Sequence, residues 1–457
     1  MSRGLGDVYK RQNNPMSNLT PSFTRRSLFD FPQLLKAYGE IKKASAIANL
    51  KIGEIDEASV EKIISLCDEL ICCPSKPEFR QIKAWAVDGL SFNEAVNAYL
   101  AEKSGLSADL VNNCQSAEDV LNTAQNIAIF RQINDSKKGI EFLLQTLRDK
   151  AVEFEDMLHV GRQHMQEALP VTWGAVFGAM YLRLRRSYEE LKRAQQGFLT
   201  VNLGVTPIDQ FTVSKPGFAS NAVNELRKIT GLDLHGPETS DEVVTSSAAL
   251  EVLEGNDRYV YLISCLRAIA LNMARIGNDL YLYSSGPRCG IGELSLPAIA
   301  PGSTIMPGKI NPSMPELMLQ IFHQTMGTDQ FVMFSAIEED IDLGASLSNA
   351  YFAASEVIEI IGRGCERFVV KCVSGVSVKE VQCEEHLINS ASLIALVRAR
   401  FGEETASLVR EMSEREQISI SEAAERLNIA SAEEIHDLFN LSRFKDPEAL
   451  KEYFGKY

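Results

Sequence analysis

The chain has 457 residues, of which 45% are apolar and 23% charged, as is typical of a folded globular protein. This composition excludes disordered, collagen-like and small disulfide-linked classes. Its 61 acidic and 46 basic residues give a formal net charge of −15. A broad basic surface for nucleic acid or anionic lipid is therefore not expected. At roughly 100–200 residues per domain, the length predicts two to four domains.

Residues 1–15 are polar and precede a second methionine, Met16, so we interpret them as a disordered or artefactual leader. No uninterrupted apolar stretch reaches about 18 residues, which predicts no membrane contact. Nine cysteines without a Cys-x-x-Cys pair indicate reduced thiols and a cytoplasmic location. The six histidines lack zinc spacing, so no metal site is predicted.

Helical periodicity dominates the rest of the chain and predicts an all-α fold. Residues 16–118 read as an N-terminal, mostly helical domain with short elements. Residues 119–376 read as a central bundle of long helices, and residues 377–457 as a small helical C-terminal domain.

Two apolar stripes carry the prediction of long helices. The first is Ile140, Leu143, Leu147, Ala151, Phe154 and Leu158, and the second is Leu262, Leu266, Ile269, Met273, Ile276 and Leu280. Stripes of this length are often buried against copies of the same chain, so a homo-oligomer is expected. One thick monomeric bundle is the alternative.

The segment 301–312 is rich in glycine and proline, as a functional loop between rigid helices would be. Gly302 and Gly308 permit a close approach of the backbone to an anion. The loop also supplies two hydroxyls, a positive charge and an amide: Ser303, Thr304, Lys309 and Asn311. That set suits a carboxylate and a developing oxyanion. By composition alone, a plain connector with a solvated lysine is an equal alternative.

The run Gly-Ser-Thr-Ile-Met-Pro-Gly-Lys-Ile-Asn at 302–311, followed by Glu316, resembles the signature loop of the aspartase/fumarase superfamily. The run Ser-Gly-Pro-Arg-Cys-Gly-Ile-Gly-Glu-Leu at 285–294 also resembles that family. Segments 24–32 and 371–376 are more weakly similar to its opening segment and to the start of its C-terminal domain.

This resemblance implies a three-domain, almost all-helical subunit, four of which form a tetramer with a 20-helix core. Each active site would collect residues from three chains and would need no metal or organic cofactor. The implied chemistry is anti-elimination next to a carboxylate of a small molecule. Ser303 matches the general base, while Lys309 and Asn311 match the residues that hold the α-carboxylate. His164 matches the active-site histidine, and Glu316 matches its carboxylate partner.

Two other segments of the implied pocket depart from the family. Where the family has Ser-Ser-Asn-Asp or Ser-Thr-Asn-Asp, this chain has Ser116, Ala117, Glu118 and an aspartate. A Gly-Ser-Gly-Thr stretch is replaced by Lys-Ala-Trp-Ala at 83–86, and Gln163 replaces the threonine before His164. The residues expected to contact the remainder of the substrate are Ser116, Glu118, Trp85, Gln163 and Asn93.

These departures reduce the donors for a second carboxylate and introduce an acid and an aromatic side chain, which favour a cation. The sequence therefore predicts a C–N lyase whose substrate carries a cationic leaving group, as ergothioneine does when ergothionase releases trimethylamine from it. Aspartate ammonia-lyase is the first alternative, followed by fumarase and by a catalytically dead structural homologue. A shift of one or two positions in the comparison of these segments would also account for the departures.

Overall fold

The computed structural model describes residues 32–87, 90–205, 214–237, 245–255, 257–299, 302, 305–306, 308–337 and 347–455. Within the described residues 32–111 the chain forms α1 Pro32–Lys51, α2 Glu57–Cys72, α3 Arg80–Val87, α4 Phe92–Ser104 and α5 Ala108–Val111. Local capping fixes where two of them begin. The Asp56 side chain accepts the Ser59 N–H at the start of α2, and Ser91 and Glu94 form a reciprocal capping box at the start of α4.

The longest elements follow in the central part of the chain. The helices there are α6 Ala117–Glu153, α7 Trp173–Gln196, α8 Phe218–Thr230, α9 Thr245–Glu254, α10 Asp257–Tyr283, α11 Ser313–Ile337 and α12 Leu347–Lys371. The second apolar stripe lies wholly in α10, as predicted. The first stripe is helical only as far as Ala151, because α6 ends at Glu153 and Leu158 begins a β-strand. The prediction of one helix through Leu158 is therefore wrong.

The C-terminal part consists of shorter helices: α13 Glu380–Asn389, α14 Ile394–Glu416, α15 Ile420–Arg426, α16 Ala432–Leu438 and α17 Pro447–Phe454. Gly402, with φ of 82°, interrupts α14. Buried apolar side chains of α14, α15 and α16 form a local core that includes Val397, Val409, Ala423 and Ile435. The predicted all-α class is confirmed.

In the part of the chain that the structure describes, two small antiparallel sheets accompany the helices. Strands β1 Leu158–Gln163 and β2 Gln166–Thr172 form a hairpin in which Leu158 pairs with Thr172 and Gln163 pairs with Gln166. The register is interrupted between Val160 and Arg162. A Cβ on Gly161 at that point would lie 2.5 Å from the Leu169 carbonyl oxygen, so only glycine fits. Strands β3 Leu294–Ser295 and β4 Ser377–Val378 form the second sheet.

The chain divides into two compact units, and each of the five longest helices contributes residues to both. Unit 1 comprises Met1–Lys137, Glu189–Arg267 and Gln324–Ile360. Unit 2 comprises Lys138–Tyr188, Ala268–His323 and Ile361–Tyr457. The predicted three-domain boundaries remain a prediction beside this division.

The core of unit 1 is built from aromatic and aliphatic side chains that are almost fully buried, among them Tyr38, Phe198, Tyr259 and Tyr351. The rings of Phe198 and Tyr259 meet edge to face with centroids 5.2 Å apart.

In unit 2, Phe154 and Phe177 make a similar contact at 5.3 Å. There α6 and α12 also touch through their main chains, because a Cβ on Gly139 would lie 2.1 Å from the Gly362 carbonyl oxygen. Close packing of this kind fixes the spacing of the two helices.

Helix α10 is long and apolar enough to cross a membrane by length and composition alone, and 56% of its most apolar window is buried inside the protein. A helical core requires the same kind of helix, so this is weak evidence for a membrane span.

All nine cysteines are free thiols, and six of them are buried. The exposed thiols are Cys72, Cys73 and Cys289.

Candidate active site

The base of the signature loop is closed by two contacts in unit 2. The Asn311 side-chain amide donates to the Gly302 carbonyl oxygen at 2.7 Å. A Cβ on Gly302 would lie 1.9 Å from the Lys309 carbonyl oxygen, so this position requires glycine. Lys309 is exposed. Ser303 and Thr304, the predicted base and its neighbour, lie outside the described residues.

The turn before this loop is ordered by Ser285, the first residue of the second motif. Its hydroxyl donates to the Leu282 carbonyl at 2.6 Å and accepts the Ile291 N–H at 3.1 Å. A Cβ on Gly290 would lie 2.6 Å from the Ser285 carbonyl carbon. The motif therefore folds into a tight turn that ends at Glu293, immediately before β3.

His164 lies at the tip of the β1–β2 hairpin in a two-residue turn. Both residues of that turn have left-handed backbones, with φ of 54° at His164 and 62° at Met165. Such turns suit a hairpin, but non-glycine residues adopt them only at a cost, and such strain is concentrated at functional sites. His164 and the preceding Gln163 are exposed.

Glu316, the predicted partner of His164, is exposed in the first turn of α11. Within the described residues, no hydrogen bond or ion pair joins His164 to Glu316 in one chain. The structure thus presents the histidine and the carboxylate as two separate exposed groups.

The motif at 285–294 also contains a glutamate for which the sequence predicted no role, and this residue is buried in unit 2. Glu293 is fully buried, and its carboxylate accepts both ends of the Arg162 guanidinium, at 2.6 Å (Nη2 to Oε1) and 3.0 Å (Nη1 to Oε2). His386 Nδ1 lies 2.7 Å from Oε1, and His159 Nδ1 lies 3.4 Å from Oε2. Burial would raise the pKa of Glu293, but the donors on His159, Arg162 and His386 outweigh it and lower the pKa to about 2.

Aromatic rings close the other side of this group. The buried His159 ring stacks on Trp173, with centroids 3.9 Å apart and planes 15° from parallel, and Tyr283 meets both edge on. Burial lowers the pKa of His159, although the Glu293 carboxylate opposes this effect. His159 is therefore neutral near pH 7. We name Glu293, Arg162, His386, His159 and Trp173 the Glu293 cluster.

The segment that departs from the family lies in unit 1, at the start of α6. Ser116 and Asp119 cap the helix reciprocally: the Ser116 N–H donates to Asp119 Oδ1 at 3.0 Å, and the Asp119 N–H donates to Ser116 Oγ at 3.2 Å. Asp119 Oδ2 also accepts the Gly204 N–H at 2.7 Å. Burial raises the pKa of Asp119 to about 6 despite these bonds.

Beside this cap lies a second buried charge, Lys42. Its ammonium donates to Asn112 Oδ1 at 2.9 Å and to Gln115 Oε1 at 3.0 Å. The predicted contact residue Asn93 joins the same network, because its amide donates to Asn112 Oδ1 at 3.2 Å. Burial lowers the pKa of Lys42 to about 7, against the opposing charge of Asp119. We name Lys42, Asn112, Gln115 and Asp119 the Lys42 cluster.

Glu118 is half-buried in the first turn of α6, and burial raises the pKa of its carboxyl group. Trp85 is half-buried on α3. In the described part of the chain, no hydrogen bond or aromatic contact links Trp85 to Glu118. Of the predicted contact residues in unit 1, the structure thus joins Asn93 to the Lys42 cluster and places Ser116 and Glu118 on one helix terminus.

Comparison with known proteins decides the family. A model of a lyase family matches residues 10–327. The chain belongs to the aspartase/fumarase superfamily of lyases.

This lyase is 28% identical over 443 residues to an aspartate ammonia-lyase of Helicobacter pylori, covering 94% of this chain and 93% of that protein. It is 27% identical over 430 residues to a class II fumarate hydratase of Bacillus subtilis, covering 91% of each. Among solved structures, fumarate lyase:delta crystallin from Brucella melitensis bound to cobalt matches with a TM-score of 0.82, 27% identity and 91% of each chain covered.

The resemblance read from the two motifs is thus confirmed at the level of the superfamily. Among the described residues of this lyase, no group of three or more His, Cys, Asp or Glu side chains could hold a metal ion. The roles assigned to the site residues stay predictions. The sequence did not predict the Glu293 cluster, because only Glu293 lies in a motif and its partners are far away in sequence.

Proposed function

We propose that this lyase removes an amine from the α-carbon of an amino-acid-type substrate with one carboxylate, and that the leaving group is cationic. Release of trimethylamine from ergothioneine is the reaction of this kind that we favour. One observation carries the proposal. The Glu118 carboxylate is partly buried, and no described residue donates a hydrogen bond to it or forms an ion pair with it. A carboxylate in that position gains free energy from a cation that desolvates with it.

The elimination transfers one proton and shifts two electron pairs. Ser303 would take the β-proton, the C–H electrons would form the new C=C bond, and the Cα–N bond would break with its electron pair on the departing amine. A serine can act as the base only if cations and N–H donors stabilise its alkoxide, which Lys309 and the loop backbone would supply. Ser303→Ala is then expected to lower kcat by at least about 10²-fold without loss of folding.

The remaining predicted residues would hold the substrate. Lys309, Asn311 and Thr304 would bind the α-carboxylate. One hydrogen of the Asn311 amide is engaged by Gly302, which sets the orientation of the other. Ser116 Oγ accepts the Asp119 N–H, so its own hydrogen can be donated to the substrate. His164 with Glu316, together with Gln163, would face the leaving group.

The protein would act as a homotetramer in the cytoplasm, with each site shared by several chains. Large apolar side chains are exposed on the long helices of unit 2, among them Phe142, Val152, Leu182, Leu271 and Tyr281. Such exposure is typical of surfaces that are covered in an oligomer. Sedimentation that showed a fully active monomer would contradict this part of the proposal.

The substrate is tested by a screen in which ergothioneine, other histidine betaines, aspartate and malate are offered in turn. Formation of the unsaturated acid is followed by absorbance, and the released amine is assayed in parallel. If Glu118 binds the leaving group, Glu118→Gln should lower kcat/KM for the quaternary amine by roughly 30- to 1,000-fold, which corresponds to about 2–4 kcal/mol. The matched control is Glu57→Gln, an exposed carboxylate in the first turn of α2, which should change nothing.

Aspartate ammonia-lyase is the second candidate, favoured by the 28% identity to the Helicobacter pylori enzyme over 94% of this chain. Efficient deamination of aspartate that is indifferent to Glu118→Gln would establish it and overturn the first proposal.

A further inference from the structure

The Glu293 cluster connects the two segments that the proposed chemistry needs. Arg162 precedes His164 by two residues, and Glu293 precedes Gly302 by nine. One buried bidentate pair therefore joins the hairpin that carries the histidine to the segment that leads into the loop with Lys309 and Asn311. A fork-to-fork pair fixes orientation as well as distance, because both N–H···O bonds must be satisfied together.

We propose that Glu293 is a positioning residue, whose carboxylate holds the His164 hairpin in a fixed orientation to the start of the signature loop. The assignment of His164 and the loop to catalysis rests on the proposed function. The structural part of the inference, that Glu293 holds the hairpin, rests on the contacts alone.

A third element restrains the carboxylate from the C-terminal part of unit 2. The Gln382 side-chain amide lies 2.8 Å from His386 Nε2, and since an amide nitrogen can only donate, Nε2 is an acceptor. His386 Nδ1 then carries the proton and donates to Glu293 Oε1 at 2.7 Å. The Glu293 carbonyl also accepts the Lys379 N–H at 2.8 Å. Both the main chain and the side chain of Glu293 are thereby tied to α13 and the residue before it.

The two strands of the hairpin are held near the tip by different contacts. On β2, Glu167 Oε2 accepts the Ser390 hydroxyl at 2.9 Å and the Ala391 N–H at 2.8 Å. On β1, Arg162 is bound by Glu293. His164 and Met165 are exposed and left-handed, and the register breaks at Gly161. By contrast, His159 at the base of β1 is clamped by Trp173 and Tyr283. Arg162 stands between this base and the strained tip on β1, the strand that leads directly into His164, so its contact with Glu293 extends the order of the base towards His164 on that strand.

The experiment compares Glu293→Gln with Glu40→Gln by hydrogen exchange and by steady-state kinetics. Glu40 is a matched control, because it is buried in unit 1 and accepts a bidentate Arg131 at 2.6 and 2.8 Å. Backbone amides of Leu158–Thr172 should exchange at least about tenfold faster in Glu293→Gln than in the wild type. In Glu40→Gln the hairpin should exchange as in the wild type, and only α1 should loosen.

Steady-state kinetics of Glu293→Gln should show kcat lowered by roughly 10- to 100-fold and KM changed by less than about threefold. The effect falls on kcat because misplacement of a reacting group affects the transition state. Arg162→Lys keeps the charge but loses the fork, so its kcat should lie between those of the wild type and Glu293→Gln. If Glu293→Gln does not fold, Arg162→Lys carries both measurements.

The outcomes separate the two proposals. Hairpin exchange that is unchanged in Glu293→Gln overturns the positioning role, whatever the activity. Faster exchange with unchanged kcat also overturns it. If no substrate is turned over by the wild type, the proposed function fails, while the exchange result still decides whether Glu293 holds the hairpin.

Discussion

The Lys42 cluster of unit 1 and the Glu293 cluster of unit 2 hold buried charge in different ways. In unit 1, the Lys42 ammonium is surrounded by amide oxygens and the Asp119 carboxylate by backbone N–H groups, and both pKa values move towards neutrality, to about 7 and about 6. In unit 2, the Glu293 carboxylate is equally inaccessible to water, yet its pKa falls to about 2. Burial is similar in the two clusters, whereas the partners differ.

The contrast shows that hydrogen-bond donors on His159, Arg162 and His386 keep the Glu293 carboxylate ionised despite its burial. Neutral amides return only part of the hydration free energy that an ammonium loses. A guanidinium in a fork returns more, because each oxygen receives a charge-assisted bond. The Lys42 cluster can therefore exchange protons near neutral pH, while the Glu293 cluster acts as a fixed dipole.

The largest effect is expected from Arg162→Met, which leaves Glu293 buried without its counter-ion. The free energy of unfolding in urea, at one fixed protein concentration, should fall by about 3–5 kcal/mol. Arg131→Met should cost a similar amount, because Glu40 in unit 1 is paired by the same fork. A loss below about 1 kcal/mol for Arg162→Met would break the comparison between the clusters.

The pH dependence of the free energy of unfolding should also distinguish the two clusters. The pKa of Glu293 in the folded state lies below its ordinary value of 4.5, so its stabilisation is present above pH 4.5 and is lost as the pH falls towards 2. The stability advantage of the wild type over Glu293→Gln should therefore shrink by up to about 3 kcal/mol over that interval. An advantage independent of pH would show that Glu293 is not held ionised.

Lys42→Met should have a smaller effect, about 1–3 kcal/mol near pH 7, because it leaves the oxygens of Asn112 and Gln115 without a donor. The dependence on pH is the opposite of that for Glu293. The pKa of Lys42 in the folded state lies below its ordinary value of 10.5, so the free-energy cost of burying the ammonium is present below about pH 7 and is relieved as the pH rises to 10.5. The free energy of unfolding of the wild type should therefore increase relative to that of Lys42→Met over that interval. The neighbouring Lys43→Met, which removes a more exposed pair with Asp68, should cost less than about 1 kcal/mol.

The sequence predicted those structural features that depend on neighbouring residues and not those that depend on distant partners. The stripe from Leu262 to Leu280 is a local pattern, and it lies on one helix. The stripe that ended at Leu158 failed because the pairing of Leu158 with Thr172 in a hairpin depends on a partner strand that helical periodicity does not reveal.

The candidate site divides in the same manner. Gly302 and Asn311 could be read from one contiguous motif, and they contact each other. The role of Glu293 could not be read, because its partners Arg162 and His386 lie 131 and 93 residues away. Ser303 and Thr304 lie outside the described residues, and their roles stay predictions.

The distribution of thiols has a practical consequence for spectroscopy. Cys289 is exposed on the turn four residues before Glu293, while the other exposed thiols, Cys72 and Cys73, lie at the end of α2. Replacing Cys72 and Cys73 with serine would leave one thiol that a maleimide dye can reach in the native protein. A fluorophore attached there would report on the surroundings of the turn that leads to Glu293, with no cysteine engineered into the chain.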